Sequence, residues 1–324
     1  MTSGLMRTAI VAGLAMMTAT QGAAAQDYPT KPIRLVLTVS AGGGMDAIAR
    51  VVGLKAAERL GQPVVVDARG GAAGTLAAGV VSGSAPDGYT LVMMSASLVA
   101  RQLLYPGSFD ILRDFSPVTQ VTAQPYLLVT NPSLPVKSLQ DFVAYARSNA
   151  GKLNYASSGQ GSVIHLATEL LRLEAGLPAM VHVPYKGMSA GLIDVMAGHT
   201  QFTLSSIVNS QAHVRTGKLR GLAVTSPQRA KSSPDIPTFS EAGVKGYSVI
   251  NWYGVLAPAK TPSAIVNRLH RDIEGILNDP ELAKRIAADG AEAMDRAPKD
   301  FAAYIKSELE KWAKVIKESG IKGD

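Results

Sequence analysis

The chain has 324 residues, with 32 Lys and Arg against 25 Asp and Glu, and no cysteine. The missing cysteine excludes a disulfide framework, a thiolate metal site and a lipid-anchored N-terminus. The basic residues are scattered and aromatic residues make up only 6% of the chain, whereas a nucleic-acid binder clusters both; the positive balance reads as an aid to solubility and a modest pull on anions.

Residues 1–25 read as an export leader. Arg7 supplies the positive start, Thr8 to Thr20 the apolar core, and Ala23-Ala24-Ala25 the cleavage site. The apolar core is too short to span a bilayer, and no later stretch is long enough. One arginine is not a twin-arginine signal, so the chain is expected to be exported unfolded. The expected product starts at or beside Gln26 and is soluble and periplasmic, with length enough for two α/β domains.

Along the mature chain, Ile33–Val39 is an apolar run that reads as a buried strand. Ser40-Ala41-Gly42-Gly43-Gly44-Met45-Asp46 follows it, and Ala47–Leu60 has helical spacing until Gly61 and Pro63 stop it. Strand, glycine loop and helix aim free backbone N–H groups and the positive end of a helix dipole at one point, and glycines let an anion approach closely. A second strand, Val64–Asp67, leads to the loop Arg69–Gly74 and a small-residue helix through Val81. Pro86-Asp87-Gly88-Tyr89 is a turn into the strand Thr90–Ser95, which ends in Ser95-Ala96-Ser97. Pro125–Thr130 is a strand broken by Asn131-Pro132, and Ser138-Leu139-Gln140-Asp141 is a capping box opening a helix to about Asn149.

The pattern then repeats. Leu153–Ala156 is a strand, Ser157-Ser158-Gly159-Gln160-Gly161-Ser162 a loop, and Val163–Glu174 a helix closed by Gly176. Met180–Tyr185 is a strand, Lys186–Ser189 a loop and Ala190–Met196 a helix. Thr200–Ser206, Leu219–Thr225 and Tyr247–Leu256 are further strands. Helices are expected over 262–277, 280–288 and 298–319. Strands alternating with helices imply a parallel α/β sheet, with ligands bound at the carboxyl ends of its strands.

Three motif readings compete. Gly42-Gly43-Gly44-Met45-Asp46-Ala47 fits a dinucleotide G-x-G-x-x-A, with Asp67 placed as a ribose partner. An export leader and the lack of a hydride-transfer residue set oppose it. Gly187-Met188-Ser189-Ala190-Gly191 fits the G-x-S-x-G of a serine hydrolase, with Asp194, His199, His213 and His270 following. Against that, no His-Gly-Gly oxyanion loop precedes it, His199 lies too close, and such strings arise by chance in a glycine-rich chain. The third reading takes the loops at 40–46, 70–74, 95–97, 157–162 and 186–189 together as a cleft of N–H and hydroxyl donors suited to carboxylates. Any one of these loops is explained by the needs of a tight turn; five at one sheet edge are less easily explained that way.

Ordered motifs over Tyr28–Ile321 carry a family resemblance. They include Lys31-Pro32-Ile33, Ala41-Gly42-Gly43-Gly44 with Asp46, Ala85-Pro86-Asp87-Gly88-Tyr89-Thr90, and Asp114-Phe115-Ser116-Pro117-Val118. They continue with Tyr155-Ala156-Ser157-Ser158-Gly159, Val183-Pro184-Tyr185-Lys186-Gly187, Leu222-Ala223-Val224-Thr225-Ser226 and Trp252 with Gly254. The chain resembles the substrate-binding proteins of tripartite tricarboxylate transporters, the Bug receptors. The resemblance implies an α/β, type II two-domain periplasmic-binding-protein fold, each domain a mainly parallel sheet flanked by helices with the ligand cleft between them. Domain 1 would take 26–124 plus 250–324 and domain 2 would take 125–249, crossing over near Thr122–Pro125 and Val249–Trp252. It further implies a monomer that does no chemistry, needs no cofactor, binds a small organic carboxylate and hands it to the transporter's membrane components.

The expected ligand-binding set is Ala41, Gly42, Gly43, Gly44, Met45, Asp46, Ser95, Ser97, Ser157, Ser158, Gly159, Gly161, Ser162, His165 and Ser205. Met45 and Ala68 depart from the family pattern, which has a small polar residue and an asparagine there. Met45 with Met93 or Met94 suits a ligand with an apolar or aromatic body, although methionines serve as ordinary core. His165 and Asp46 have structural readings beside the ligand reading, as hydrogen-bonder and as helix-dipole partner. Lys186 has a carboxylate-pairing reading, but that of an exposed loop lysine is preferred. The His, Asp and Glu residues show no metal spacing.

Overall fold

One long strand, β4 (Phe115–Thr130), runs from one half of the protein into the other. Its first part pairs antiparallel with β9 (Ile250–Pro258), from Phe115 opposite Pro258 to Pro125 opposite Ile250. From Tyr126 onward it pairs instead with β7 (Phe202–Ser206), and from Leu127 also with β8 (Arg220–Val224). This computed structural model describes residues 28–71, 74–107, 109–288 and 290–323. The expected leader, and Ala72 and Ala73 of the 70–74 loop, lie outside the described residues.

Beyond β9 the sheet continues through β3 (Thr90–Ser95), β1 (Ile33–Leu37) and β2 (Val64–Ala68), the last three mutually parallel. Beyond β7 lie β5 (Asn154–Ser157) and β6 (Val181–Pro184), again parallel. A tenth strand, β10 (Glu292–Arg296), runs antiparallel along β4. Helical crossovers make the flanking pairs parallel; strands entering from the opposite half make the central pairs antiparallel.

Eleven described helices cover these strands: α1 (Gly44–Leu60), α2 (Thr75–Ser82), α3 (Ser97–Leu104), α4 (Ile111–Asp114), α5 (Leu139–Ser148), α6 (Val163–Glu174), α7 (Met188–Ala197), α8 (Ile207–Arg215), α9 (Ser263–Leu277), α10 (Pro280–Ala288) and α11 (Pro298–Ser319). Local chemistry sets their ends. Gly61, at φ 70, closes α1 by donating to Ala57 O, a left-handed position that glycine takes without steric cost. The Ser138–Asp141 capping box opens α5, as its sequence indicates. Apart from Arg34, β1 is apolar because both its faces are covered: Leu35 and Leu37 pack with Ile48 and Leu269, and Val36 with Ala77 and Val81. The last helix, α11, crosses the halves, packing on β4, α3 and α6.

Several elements differ from their sequence reading. β4 begins at Phe115, not Pro125, because Pro117 falls at a register shift where a missing N–H is tolerated. The strand expected over 247–256 is Ile250–Pro258. Helices α3 and α8 and strand β10 stand where the sequence offered only loops or no element. In α8 the opening Ile207-Val208 is β-branched and masks the helical period.

Candidate functional site

The loop after β1 delivers Gly43, in extended backbone (φ −90, ψ 177), as the N-cap of α1 with no side chain capping it. The first-turn N–H groups of α1 therefore have no intrahelical partner and face outward. Asp46 closes this loop on itself: its Oδ2 accepts from Gly42 N at 2.9 Å and from Arg50 Nε at 3.2 Å. Arg50, and then the Gly42 N–H, hold its carboxyl below the usual carboxylate range.

Two adjoining cavities of about 290 and 320 Å³ open from this point, sharing Gly44, Tyr126, Ile164, Asn251 and Tyr253 in their walls. Gly43, Gly44, Met45, Ser95 and Ser97 come from the β1–β3 side, and Ser158, Ser162 and Val163 from the β5 side. One hydroxyl pair is tied together, Ser95 Oγ to Ser97 Oγ at 2.6 Å. The second cavity adds Gln124, Met188, Ser206, Val208 and Asn209. Across the floor, Asn251 Nδ2 donates to Gln124 Oε1 at 3.1 Å.

Helix starts converge here. The first residues of α1, α3, α6 and α7, with Val208 and Asn209 of α8, all line the two cavities. Each brings N–H groups and the positive end of its dipole. Among the described residues, no Lys, Arg, Asp or Glu lines either cavity. The arrangement suits an anion bound by backbone N–H and hydroxyl groups rather than by countercharge.

Of the expected site residues, Gly43, Gly44, Met45, Ser95, Ser97, Ser158 and Ser162 line the cleft. The others lie around it. Ala41 and Gly42 form the outer turn of the α1 loop, and Asp46 serves that loop. Ser157 is fully buried, and its Oγ meets His182 Nε2 at 2.6 Å and Gly159 N at 3.1 Å. Gly161 N donates to His165 Nδ1 at 3.1 Å, and His165 stacks on His182. Ser205 is fully buried on β7, its hydroxyl turned to Ser206 O. Met93 and Met94 are fully buried core, and Ala68 lines neither cavity.

Sequence reasoning missed Tyr126, Asn251 and Tyr253 on β4 and β9, and Ile164, Ser206 and Asn209 at helix starts. Asn251 and Tyr253 alternate with Ile250, Trp252 and Gly254, a period-two signal that distinguishes the cleft face of β9. It also missed His182, the partner that turns Ser157 away from the cleft.

The two alternative motifs find no support in the geometry. Asp67 is engaged at Oδ2 by Arg34 and by Arg69, whose Nε lies 2.9 Å away, and it lines neither cleft cavity. Among the described residues Ser189 makes no hydrogen bond to a histidine. Asp194, which would orient such a base, takes the Tyr185 hydroxyl at 2.6 Å and His199 at 3.3 Å. The fold also brings together what linear spacing did not: ligand atoms of His270, Glu274 and Asp295 lie within 4.8 Å of one another. No helix among the described residues is long and apolar enough to cross a membrane.

Residues 48–321 match the profile of the tripartite tricarboxylate transporter family receptor. The chain is 34% identical over 322 residues to protein BugT of Bordetella pertussis, covering 97% of this chain and 98% of that protein. A solved structure of an R. palustris protein with adipate is 34% identical at a TM-score of 0.76, covering 91% of this chain and 99% of that one. MatC from Rhodopseudomonas palustris with bound malate is 32% identical at a TM-score of 0.72, covering 89% of this chain and all of the other.

Proposed function

The chain belongs to the tripartite tricarboxylate transporter receptor family, and from that premise we propose that it binds a small dicarboxylate in the cleft and delivers it to the membrane components of such a transporter. The family makes it a periplasmic solute receptor, not an enzyme. One observation carries the ligand class: helix N-termini and hydroxyls converge on a cleft that, among the described residues, no charged side chain lines. The relatives solved with adipate and with malate support the same class. Two adjoining cavities, each with its own donors, favour an acid with two carboxylates. Tyr126, Tyr253, Ile164 and Met188 between them favour an apolar or aromatic body.

On this reading residues 26–124 with 250–324 form one lobe and 125–249 the other. The change of partners along β4 after Pro125 supports placing the hinge there, where β4 and β9 run side by side. The lobes close on the ligand as a monomer. The alanine-rich cleavage site supports release of the mature chain near Gln26.

Calorimetry with adipate, malate and terephthalate, against adipamide as the neutral isostere, tests the ligand class. A diacid should bind in the cleft while adipamide does not. At 100 times its dissociation constant a ligand adds about 2.7 kcal/mol of stability, readable as a thermal shift. No binding by any diacid, or equal binding of the diamide, overturns the reading.

A further inference from the structure

A cavity of about 610 Å³ lies behind the cleft and not in it. Successive side chains on a strand point to opposite faces. On β4, Gln124 and Tyr126 face the cleft while Ala123 and Pro125 line the rear cavity. On β9, Asn251 and Tyr253 face the cleft while Ile250 lines the rear. The strand pair therefore stands between the two cavities, and one small molecule cannot reach both. The register shift between Gln120 and Thr122 turns Gln120 to the rear face as well.

Three groups in the rear wall have hydrogen-bonding capacity unused by the protein. Gln120 is 1% exposed, gives its amide N–H to Thr122 O at 3.0 Å, and leaves Oε1 without a partner. Ser226 Oγ is shielded from solvent and also has none. Leaving buried polar atoms unpaired is costly, and each such atom calls for an explanation. Arg296 lies with its guanidinium 4.2 Å over the Tyr304 ring, and no described carboxylate pairs with it. By contrast the two lysines of this wall are engaged, Lys231 by Glu292 at 3.5 Å and Lys311 by Glu308.

We propose that the rear cavity is a second small-molecule site, taking an organic acid that also carries a hydroxyl. The Arg296 fork suits the carboxylate, because its planar donors match two oxygens at once. Gln120 and Ser226 lie in the same wall, and their unpaired, shielded oxygens meet the ligand hydroxyl once the side chains turn outward. Tyr304, Met294 and Pro125 cover the carbon skeleton. The site stands on its own residues and does not depend on the cleft being the receptor site.

The test is calorimetric titration of the full mature chain with L-malate, a hydroxy diacid, in five proteins, each checked by circular dichroism: wild type, the single variants Gly43→Val and Arg296→Met, and Gly43→Val combined with Arg296→Met or with Ser226→Ala. Gly43→Val obstructs the cleft, so its remaining heat reports the rear site alone. The expected result is one malate site in Gly43→Val, weakened at least tenfold (about 1.4 kcal/mol) when Arg296→Met is added and severalfold with Ser226→Ala. No residual binding in Gly43→Val, or residual binding untouched by both rear substitutions, overturns the proposal. If wild type instead shows a single site lost in Arg296→Met and unchanged in Gly43→Val, the rear site stands and the cleft reading falls.

Discussion

His165 and His182 lie face to face, ring centroids 3.8 Å apart and 18° from parallel, behind the Ser157–Ser162 loop. Burial pushes the first down to about 4; burial, then the neighbouring His165, does the same to the second. An unfolded chain takes up protons near the ordinary histidine value of about 6.5, whereas the fold refuses them until about 4. Stability from the neutral pair is thus complete above the unfolded value and is lost as pH falls through the window between the two. Discounted for the partial exposure of His182, urea denaturation should show a loss on the order of 1–3 kcal/mol between neutral pH and the bottom of that window. His182→Phe keeps a stacked ring but cannot titrate, so its pH slope should be shallower. An identical slope in both proteins sinks the assignment.

Ser162 serves two ends at once. Its Oγ accepts from His165 N at 3.2 Å, capping α6, and the same residue lines the cleft. Ser138 caps α5 in the same way, accepting from Asp141 N at 3.1 Å, but lines neither cleft cavity. Ser162→Ala and Ser138→Ala should each cost about 1 kcal/mol of stability. Only Ser162→Ala should also weaken adipate binding, by about 1–3 kcal/mol, the range for a hydrogen bond to a charged group. Paired denaturation and calorimetry decide it; equal binding losses would show that the cap acts through stability alone.

Legibility in the sequence followed locality. The β1–glycine–α1 unit, the α5 capping box and the helices of the last third rest on signals a few residues long, and all were readable. The glycine and serine loops located one edge of the cleft because their reason for being there is local backbone geometry. The floor was not readable. Tyr126, Asn251 and Tyr253 meet only because β4 pairs with β9, strands separated by most of one half of the chain. Ser157 was misplaced for a related reason: the partner that turns its hydroxyl inward, His182, arrives on the neighbouring strand β6.

A cleft whose described walls hold no carboxylate or amine side chain has a pH signature. Among its walls the titratable side chains are the phenols Tyr126 and Tyr253, and burial holds Tyr126 above its ordinary value and hence protonated. Adipate affinity should therefore be flat across neutral pH wherever the acid is fully ionised. Salt should weaken binding only modestly, since no side-chain charge is screened. Titrations at several pH values check this. A tenfold rise in affinity on acidification would mean that a histidine reaches the ligand.

Two adjacent glycines separate obstruction of the cleft from strain in its loop. Gly42 has φ +92, a region that side chains rarely adopt, and Gly43 has φ −90, which any residue tolerates. A Cβ on either would meet no protein atom within 4 Å, so both positions open onto free space. Only Gly43 lines the cleft. Gly43→Val therefore puts a branched side chain where the anion meets the α1 N-terminus, with no backbone penalty beyond a poorer N-cap of about 1 kcal/mol. Gly42→Val forces left-handed backbone, costing on the order of 1–2 kcal/mol, while its side chain stands outside the cavity. Adipate binding should fall at least about 100-fold, or 2.7 kcal/mol, in Gly43→Val and much less in Gly42→Val. The order should reverse for thermal stability, with Gly42→Val melting lower. Calorimetry and thermal denaturation on the pair settle the mechanism. If Gly43→Val binds like wild type, the carboxylate does not sit on the α1 backbone, and donors on the β5 side must hold it instead.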